Sequence, residues 1–403
     1  SYAGQQVLTC NLTTPSHLDL IRDYTIDVWS DDSVAVLNSP LELRADFQQR
    51  EALFNAAVEC EIVVEDLDAA ITANYAEDTD TGGVSANSVH ARADIDEFFT
   101  KYRTYADIKA KIAEWAKTYP DLFTDYGSIG KTSEGRDIPA FKIGKPPAKP
   151  KAGTPKPSIW LNGGIHAREW ISPATVMFLA YALLTGTPDP AFPKLLDTVD
   201  FFFTPVSNPD GYVYTFTTDR MWRKNRAPNE GSKCIGVDLN RNWDEHWNKI
   251  GTGKTPCEDI WAGSGPFSEK ETKALSTFVL TKIPNRIAGI DFHSFSQLIL
   301  TPWGWTKTPP NPPAYYSNLG KSIAAAIKAQ SGVIYTPQLG ADLYFASGTV
   351  DDWMNAKAKM VGLTIELRDT GRKGFLLPAS EIVPTGSEMV AGVTAFVAYV
   401  VKN

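Results

Sequence analysis

Residues 158–173 read SIWLNGGIHAREWISP, and this stretch decides the fold. Its first four residues have the apolar pattern of a strand, which ends at Asn162-Gly163-Gly164. Ser172 and Pro173 then open a helical pattern, since proline is well tolerated in the first turn of a helix. A strand that turns through glycines into a helix is typical of α/β sheets, which bind ligands at such strand ends.

The same alternation continues to the end of the chain and predicts one large domain. Further strand patterns lie at 138–143, 201–205, 287–292 and 362–367. Helical patterns lie at 173–184, 268–280, 317–330 and 386–401. Thr104 and Asp107 resemble a capping box at the start of the domain's first helix. Strands that alternate with helices predict the α/β class, here a single α/β/α domain with a mixed, mostly parallel twisted sheet.

The first 75 residues or so have the pattern of a second, smaller domain. Strand patterns at 6–10, 26–29 and 61–64 alternate with helical patterns at 16–21, 46–58 and 67–75, which predicts a small α+β unit. The polar residues 77–88 have the composition of a connector. Arg92 follows it as a basic residue where a trypsin-like protease would cut. We therefore divide the chain into residues 1–92 and 93–403.

Composition limits the classes of function. The 403 residues carry a formal net charge of -8, which argues against nucleic acid or an anionic membrane as a partner. No apolar run of about 18 residues is evident, so we expect no membrane-spanning segment. The four cysteines are Cys10, Cys60, Cys234 and Cys257, and they would suit two disulfides in an oxidising compartment. Four cysteines allow three different pairings, and the sequence leaves all three open. The sequence therefore favours a secreted, extracellular protein.

His166 and Glu169 follow the glycine turn and are three residues apart, so both can reach one metal ion. A catalytic zinc site needs a third protein ligand and an open position for water. His293 is the natural third ligand because it directly follows the apolar strand pattern at 287–292. A His-x-x-Glu pattern is short and also occurs by chance among core or surface residues, so this site needs independent support.

Other polar groups at strand and loop boundaries provide that support. Glu366 lies in an apolar strand pattern and is either a general base toward water or a structural acid paired with Arg368. The cationic run 220–226 is either a solvated loop or a source of charge for an oxyanion. Asn240 and Arg241 place an amide beside a guanidinium, which suits capture of a carboxylate.

At these positions the chain resembles the pancreatic-type metallocarboxypeptidases A and B. The resemblance rests on His166-Ala167-Arg168-Glu169-Trp170, on GVDLNRNW at 236–243, on Asp291-Phe292-His293-Ser294 and on ELRDTG at 366–371. Residues 98–403 match in order and spacing, whereas residues 1–92 resemble the family's activation segment more loosely. The resemblance implies a procarboxypeptidase, in which an open-sandwich activation domain covers the funnel to the metal until the chain is cut after Arg92.

The resemblance also implies a role for each matched catalytic residue. One zinc ion per chain would be held by three ligands: His166, Glu169 and His293. Asp238 would fix His166 from behind the metal. Glu366 would be the general base, and Arg223 the cation that polarises the scissile carbonyl and stabilises the oxyanion.

Further matched residues would bind the substrate. Asn240 and Arg241 correspond to the clamp for its terminal carboxylate, Tyr344 to a mobile lid, and Arg168 and Arg220 to secondary anchors. The resemblance also pairs Cys234 with Cys257 in the enzyme's disulfide. The implied partners are the C-termini of peptides and proteins, an activating trypsin-like protease and protein inhibitors of carboxypeptidases, and the implied state is a monomer.

Asp351 falls at the base of the side-chain pocket, where B-type enzymes have an aspartate that pairs with Lys or Arg. A buried carboxylate facing an apolar side chain would be left unpaired at a cost in free energy, so we expect a preference for C-terminal Lys or Arg. Leu339 stands where B types usually have a small residue. An A-type preference for aromatic or aliphatic residues therefore remains an alternative, and an inactive module that only binds C-terminal tails is another.

Overall fold

The computed structural model describes residues 2–29, 37–38, 40–77, 95–146 and 156–403. Arg92 lies outside the described residues, as does most of the predicted connector. The described residues form two units, each with its own sheet and its own hydrophobic core.

The small unit is an antiparallel sheet with helices. Its elements in chain order are Gln6–Asn11 (β1), Pro15–Asp23 (α1), Asp27–Val28 (β2), Pro40–Ala45 (β3), Phe47–Asn55 (α2), Glu59–Val64 (β4) and Leu67–Glu77 (α3). The strand order among the described residues is β2-β3-β1-β4, with every pair antiparallel. Asp46 and Gln49 form a capping box that starts α2. Cys10 and Cys60 are register partners on β1 and β4 and form a disulfide.

The large unit contains the remaining strands and helices. Its strands are Phe123–Asp125 (β5), Phe141–Ile143 (β6), Ser158–Gly163 (β7), Asp200–Thr204 (β8), Arg286–Ser294 (β9), Leu298–Thr301 (β10), Thr336–Leu339 (β11) and Val361–Leu367 (β12). Its α-helices are Tyr105–Thr118 (α4), Ile171–Thr185 (α5), Pro209–Thr217 (α6), Lys270–Lys282 (α7), Pro313–Ser331 (α8), Gly340–Leu343 (α9), Val350–Ala356 (α10) and Ile382–Lys402 (α11). The predicted capping box of Thr104 and Asp107 is present at α4.

These strands form one mixed, eight-stranded sheet within the described residues, in the order β11-β10-β12-β9-β7-β8-β6-β5. The central strands β12, β9, β7 and β8 run parallel, which confirms the predicted α/β class. Ile159 and Leu161 of β7 join the core on one face, and Trp160 between them joins the core on the other. Helices therefore cover both faces of the sheet.

The last helix is long and apolar. By length and composition alone, residues 379–402 could cross a membrane, although they contain no unbroken apolar run of about 18 residues. Its most apolar stretch is 56% buried within the protein, where Met389, Val393 and Phe396 pack with Ile327 in the main core. The burial of this helix in the protein core therefore also accounts for its apolar composition.

The parallel strands also determine where the site lies. His166 follows β7, His293 is near the end of β9, and Glu366 is near the end of β12. Because the carboxyl ends of adjacent parallel strands meet at one edge of a sheet, the three side chains are brought together from distant parts of the chain.

Candidate active site

The turn after β7 is held in a conformation that requires glycine. Gly164 has a φ of +66°, and a Cβ there would come within 2.9 Å of Pro173 and 3.3 Å of the Pro205 carbonyl oxygen. The Ser172 hydroxyl accepts a hydrogen bond from the Gly164 amide and donates one to the carbonyl of Phe292 on β9. The turn that carries His166 and Glu169 is thereby tied to the strand that carries His293.

His166, Glu169 and His293 converge as predicted and are almost fully buried. His166 Nδ1 lies 2.8 Å from Glu169 Oε1, and His293 Nδ1 lies 3.1 Å from His166 Nδ1 and 3.2 Å from Glu169 Oε2. Donors bound at about 2.1 Å in a tetrahedral zinc site are roughly 3.4 Å apart. Two imidazole nitrogens and one carboxylate at this spacing fit zinc, and they leave one vertex for water or substrate.

Each imidazole presents Nδ1 to this centre and Nε2 to an aspartate. His166 Nε2 lies 3.0 Å from Asp238 Oδ1, and His293 Nε2 lies 2.7 Å from Asp291 Oδ2. Burial opposes the charged form of His293, but Asp291 and Glu169 raise its pKa well above its usual value. Burial likewise opposes ionisation of Glu169, but the two imidazoles lower its pKa below its usual range. The anionic surroundings therefore favour a cation at this site.

Asp238 is shared between the metal site and the predicted oxyanion site. Arg223 donates from Nε and Nη2 to Asp238 Oδ2, over 3.1 Å and 3.0 Å. Burial raises the pKa of Asp238, but Arg223 and His166 lower it well below its usual value overall. The backbone amide of Asn240 donates to the other oxygen of the same carboxylate, which caps the short 3-10 helix Leu239–Arg241. One ionised acid thus orients three of the predicted functional residues.

A pocket opens directly beside the metal ligands. It encloses about 400 Å³ including its open mouth, and its lining contains His166, Asn240, His293, Leu300, Gly304, Gly340, Tyr344, Ala346, Thr349, Asp351, Thr364 and Glu366. Glu366 and His293 are register partners on the parallel strands β12 and β9, so their side chains lie on the same face of the sheet. The predicted base therefore shares one pocket with the two histidines of the candidate metal site.

The predicted carboxylate clamp is held rigidly beside this pocket. Arg241 donates from Nε to the carbonyl of Gly251 and from Nη1 to that of Asn240. The side-chain oxygen of Asn240 accepts a hydrogen bond from the amide of Val350 over 2.9 Å. The ring centroid of Tyr344 lies 5.7 Å from the Arg241 guanidinium carbon, so these groups surround the same space.

Asp351 lies in the pocket wall, where 5% of its surface is exposed. Burial raises its pKa, and its neighbours Asp291 and His293 act on it in opposite directions. Leu339 ends β11 as the register partner of Thr301, and the next residue, Gly340, lines the pocket instead. Leu339, which stands where B types usually have a small residue, is thus not part of the pocket lining.

Arg168 and Arg220 face the small unit. Arg168 stacks on Phe375, with its guanidinium carbon 4.3 Å from the ring centroid. Arg220 donates to the carbonyls of Arg168 and Phe375 and stacks on Trp170 at 3.6 Å, and burial lowers its pKa to about 10. Both arginines are covered rather than open to solvent in this structure.

The structure resolves the cysteine pairing that composition left open. Cys10 is bonded to Cys60, and Cys234 to Cys257, the second of which the resemblance implied.

The structure also adds a residue to the site that sequence reasoning missed, namely Asp291. Its spacing from His293 was a signal, because residues two apart on a strand share a face.

Comparison with known proteins identifies the family. A family model described as zinc carboxypeptidase matches residues 108–392. The chain belongs to the zinc carboxypeptidase family. It is a metallocarboxypeptidase, an exopeptidase whose family acts on the C-termini of peptides and uses zinc, and the His-Glu-His group is the place where the ion would bind.

Relatives at 33–40% identity include proteins named carboxypeptidase A1 and carboxypeptidase B. Carboxypeptidase B of Astacus astacus is 40% identical over 301 residues, which cover 73% of this chain and 95% of the relative. The crystal structure of thrombin-activatable fibrinolysis inhibitor has a TM-score of 0.86 at 30% identity and covers 99% of this chain and 100% of its own. The bovine form of that protein, solved with tick carboxypeptidase inhibitor, has a TM-score of 0.69 at 35% identity, over 76% of this chain and 99% of its own.

Proposed function

We propose that this carboxypeptidase is a secreted zymogen which, once cut near Arg92, removes Lys or Arg from the C-termini of peptides and proteins. One observation carries the proposal: the two histidines of the candidate metal site line a single pocket with Glu366, Asn240 and Asp351. Hydrolysis, recognition of the free carboxylate and selection of the side chain can then all act on one bound C-terminal residue of the substrate.

The hydrolytic step divides between the metal and the side chains. Zinc bound here supplies a Lewis acid that polarises the scissile carbonyl and lowers the pKa of water. Glu366 accepts a proton as water attacks the carbonyl carbon, and delivers it to the leaving amine when the peptide bond breaks. Arg223 stabilises the negative charge that develops on the carbonyl oxygen. Because Asp238 holds its guanidinium in place, little reorganisation is needed.

Exopeptidase selectivity follows from the position of the clamp. Asn240 and Arg241 provide an amide and a guanidinium for the terminal carboxylate, and Tyr344 closes over the same space. A peptide that continued past this point would place an uncharged amide against Arg241. We therefore infer that only the last residue is removed.

Selection of Lys or Arg rests on Asp351. Its burial raises its pKa, so the ionised form is costly until a cation enters the pocket and pairs with it. An apolar side chain would leave the acid desolvated without this compensation. Leu300 and Ala346 in the lining support the aliphatic stem of such a substrate.

The packing of the small unit supports an inhibitory role for residues 1–92. Val7, Trp29, Leu67 and Ile71 form a buried cluster with residues of the large unit, namely Met221, Phe295, Phe375 and Leu376. Trp29 packs edge-on against Phe375, with ring centroids 5.5 Å apart. The small unit therefore covers the same ring that Arg168 stacks on, and Arg168 directly precedes Glu169 in the chain. The two disulfides support secretion.

Limited trypsin digestion tests the proposal. Intact chain and digested chain, both zinc-loaded, are assayed on matched peptides that end in Arg, Lys, Phe or Leu. We expect a new N-terminus at Ala93, activity only after digestion, and release of Arg and Lys in preference to Phe. An Arg92→Gln variant is the matched control and should stay silent after the same treatment.

Three other outcomes of this assay would contradict parts of the proposal. Equal activity before and after digestion contradicts the zymogen. A clear preference for Phe or Leu indicates an A-type enzyme. Bound zinc without turnover after digestion indicates a module that only binds C-terminal tails.

A further inference from the structure

Asp291 is a fully buried acid beside the metal site that the proposed mechanism does not use. It lies two residues before His293 on β9, and its Oδ2 atom is 2.7 Å from His293 Nε2. A carboxylate can only accept here, so Nε2 carries the proton and Nδ1 keeps its lone pair for the metal. The contact thus selects the tautomer that a zinc ligand needs.

The carboxylate of Asp291 is itself held from the other side. Asn162, its register partner on β7, donates from Nδ2 to Asp291 Oδ1 over 2.7 Å. The Asn162 side-chain oxygen accepts hydrogen bonds from the hydroxyls of Thr204 and Ser207. The network therefore crosses three adjacent strand ends and fixes both oxygens of Asp291.

We propose that Asp291 is a positioning residue for zinc, which orients the ring of His293 as Asp238 orients that of His166. Both imidazoles of the site then have a buried carboxylate partner. Such outer partners fix ring orientation and strengthen metal binding, and their loss typically weakens metal affinity by about 10- to 100-fold. A purely structural ion pair would stabilise the fold without changing zinc affinity.

The test is the zinc affinity of an Asp291→Asn variant of the full chain. Zinc is removed with a chelator and titrated back in competition with a fluorescent chelator of known affinity. We expect the variant to bind zinc about 10- to 100-fold more weakly than the wild type. Asp200→Asn is the matched control. Asp200 is also buried, and it pairs with Lys142 and Lys156. It is the first residue of β8, at the end of the strand away from Thr204 and the metal site.

An affinity of the Asp291→Asn variant within twofold of the wild type overturns the proposal, and so does an equal loss in the control. A wild-type chain that binds no zinc would instead contradict the metal site itself. If the variant does not fold, ¹⁵N NMR of histidines in the zinc-loaded wild type decides. We expect a slowly exchanging, downfield-shifted Nε2 proton on His293, and a rapidly exchanging one overturns the inference.

Discussion

Asp27 Oδ1, on the small unit, lies 3.9 Å from Nη1 of Arg168, the residue that precedes the candidate metal ligand Glu169. Arg44 pairs with the other oxygen of Asp27 at 2.9 Å, and Asp259 lies 3.8 Å from the same Arg168 nitrogen. Burial and the nearby Asp259 raise the pKa of Asp27, against the effect of the two arginines. Two acids and two arginines therefore alternate across the boundary between the units.

Replacing Asp27 with Asn should loosen the small unit from the large one. The change leaves the buried Arg168 and the partly buried Arg44 with one counter-charge fewer, which destabilises the docked arrangement. We expect the uncut variant to show about tenfold more activity than uncut wild type on a small peptide, with identical activity after digestion.

Asp19→Asn is the matched control for this prediction. Asp19 pairs with Arg22 on the exposed side of α1, so its loss removes an ion pair from the same unit without touching the boundary. If uncut Asp27→Asn stays as silent as uncut wild type, the ion-pair network does not hold the small unit in place.

Replacing Glu366 with Gln should abolish turnover without loss of metal. The amide cannot accept the proton of the attacking water, and loss of a general base typically lowers kcat by about 10²- to 10⁴-fold. Zinc content should stay at one ion per chain, because Glu366 is outside the ligand set. Metal analysis and kcat measured on the same digested sample check both parts.

The control for Glu366 is Glu114→Gln, which removes an exposed acid paired with Lys111. Its kcat should match that of the wild type. A Glu366→Gln enzyme that retains more than about a tenth of wild-type kcat assigns the base to another residue.

Replacing Asp351 with Ala should change the preferred substrate. Loss of a buried acid that pairs with the substrate cation typically costs about 2–5 kcal/mol, so kcat/KM for peptides ending in Arg should fall about 30-fold or more. For peptides ending in Phe, kcat/KM should be unchanged or higher, because the pocket no longer contains a charge to desolvate.

Asp342→Asn provides the comparison for Asp351. Asp342 is about half exposed and faces Lys307 near the same pocket. Its replacement by Asn therefore removes one negative charge from the surroundings of the pocket, as the Asp351 substitution does. Its ratio of Arg to Phe hydrolysis should stay at the wild-type value. An unchanged ratio in the Asp351 variant would place the selection elsewhere in the pocket.

Glu271 on α7 should make stability fall as pH rises toward neutrality. Burial raises its pKa from an ordinary value of 4.5 to about 7, so the folded chain holds a proton that the unfolded chain has lost. Between about pH 4.5 and 7 the free energy of unfolding should therefore decrease by about 3 kcal/mol from this group. Glu271→Gln should remove the decrease and be the more stable protein at pH 8, as measured by urea unfolding.

At pH 4 the Glu271→Gln variant and the wild type should have similar stability, because the acid is then protonated in both the folded and unfolded chain. Glu230→Gln, an exposed substitution in a nearby loop, should follow the wild-type pH dependence throughout. If the free energy of unfolding depends on pH in the same way for Glu271→Gln and the wild type, Glu271 ionises in the folded chain without a loss of stability.

The central strands were predictable because a strand buried on both faces is apolar along its whole length. Residues 158–161, 287–292 and 362–367 were predicted, and the structure has strands at Ser158–Gly163, Arg286–Ser294 and Val361–Leu367. The predicted strand at 138–143 shortens to Phe141–Ile143, because its first half makes only separate backbone hydrogen bonds to residues 126–130. The strands β10 and β11 have only four residues each, which is too short for a period to be recognised.

The site was predictable in its ligands and less so in their surroundings. The glycine turn and the resemblance located His166, Glu169 and His293. Contacts across strand ends, such as Asn162 with Asp291, depend on which strands are neighbours, and strand order cannot be deduced from periodicity alone. The ion pair between Asp27 and Arg168 depends in the same way on how two units dock.

The register that aligns Glu366 with His293 has an evolutionary consequence. The spacing between Glu366, the proposed proton acceptor, and the candidate metal ligand His293 is set by the backbone ladder of two central strands, where a slip of one residue would turn a side chain to the opposite face. Tyr344 and Asp351 belong instead to the segment between β11 and β12. Substrate choice can therefore diversify in that segment while the chemistry of bond cleavage stays unchanged.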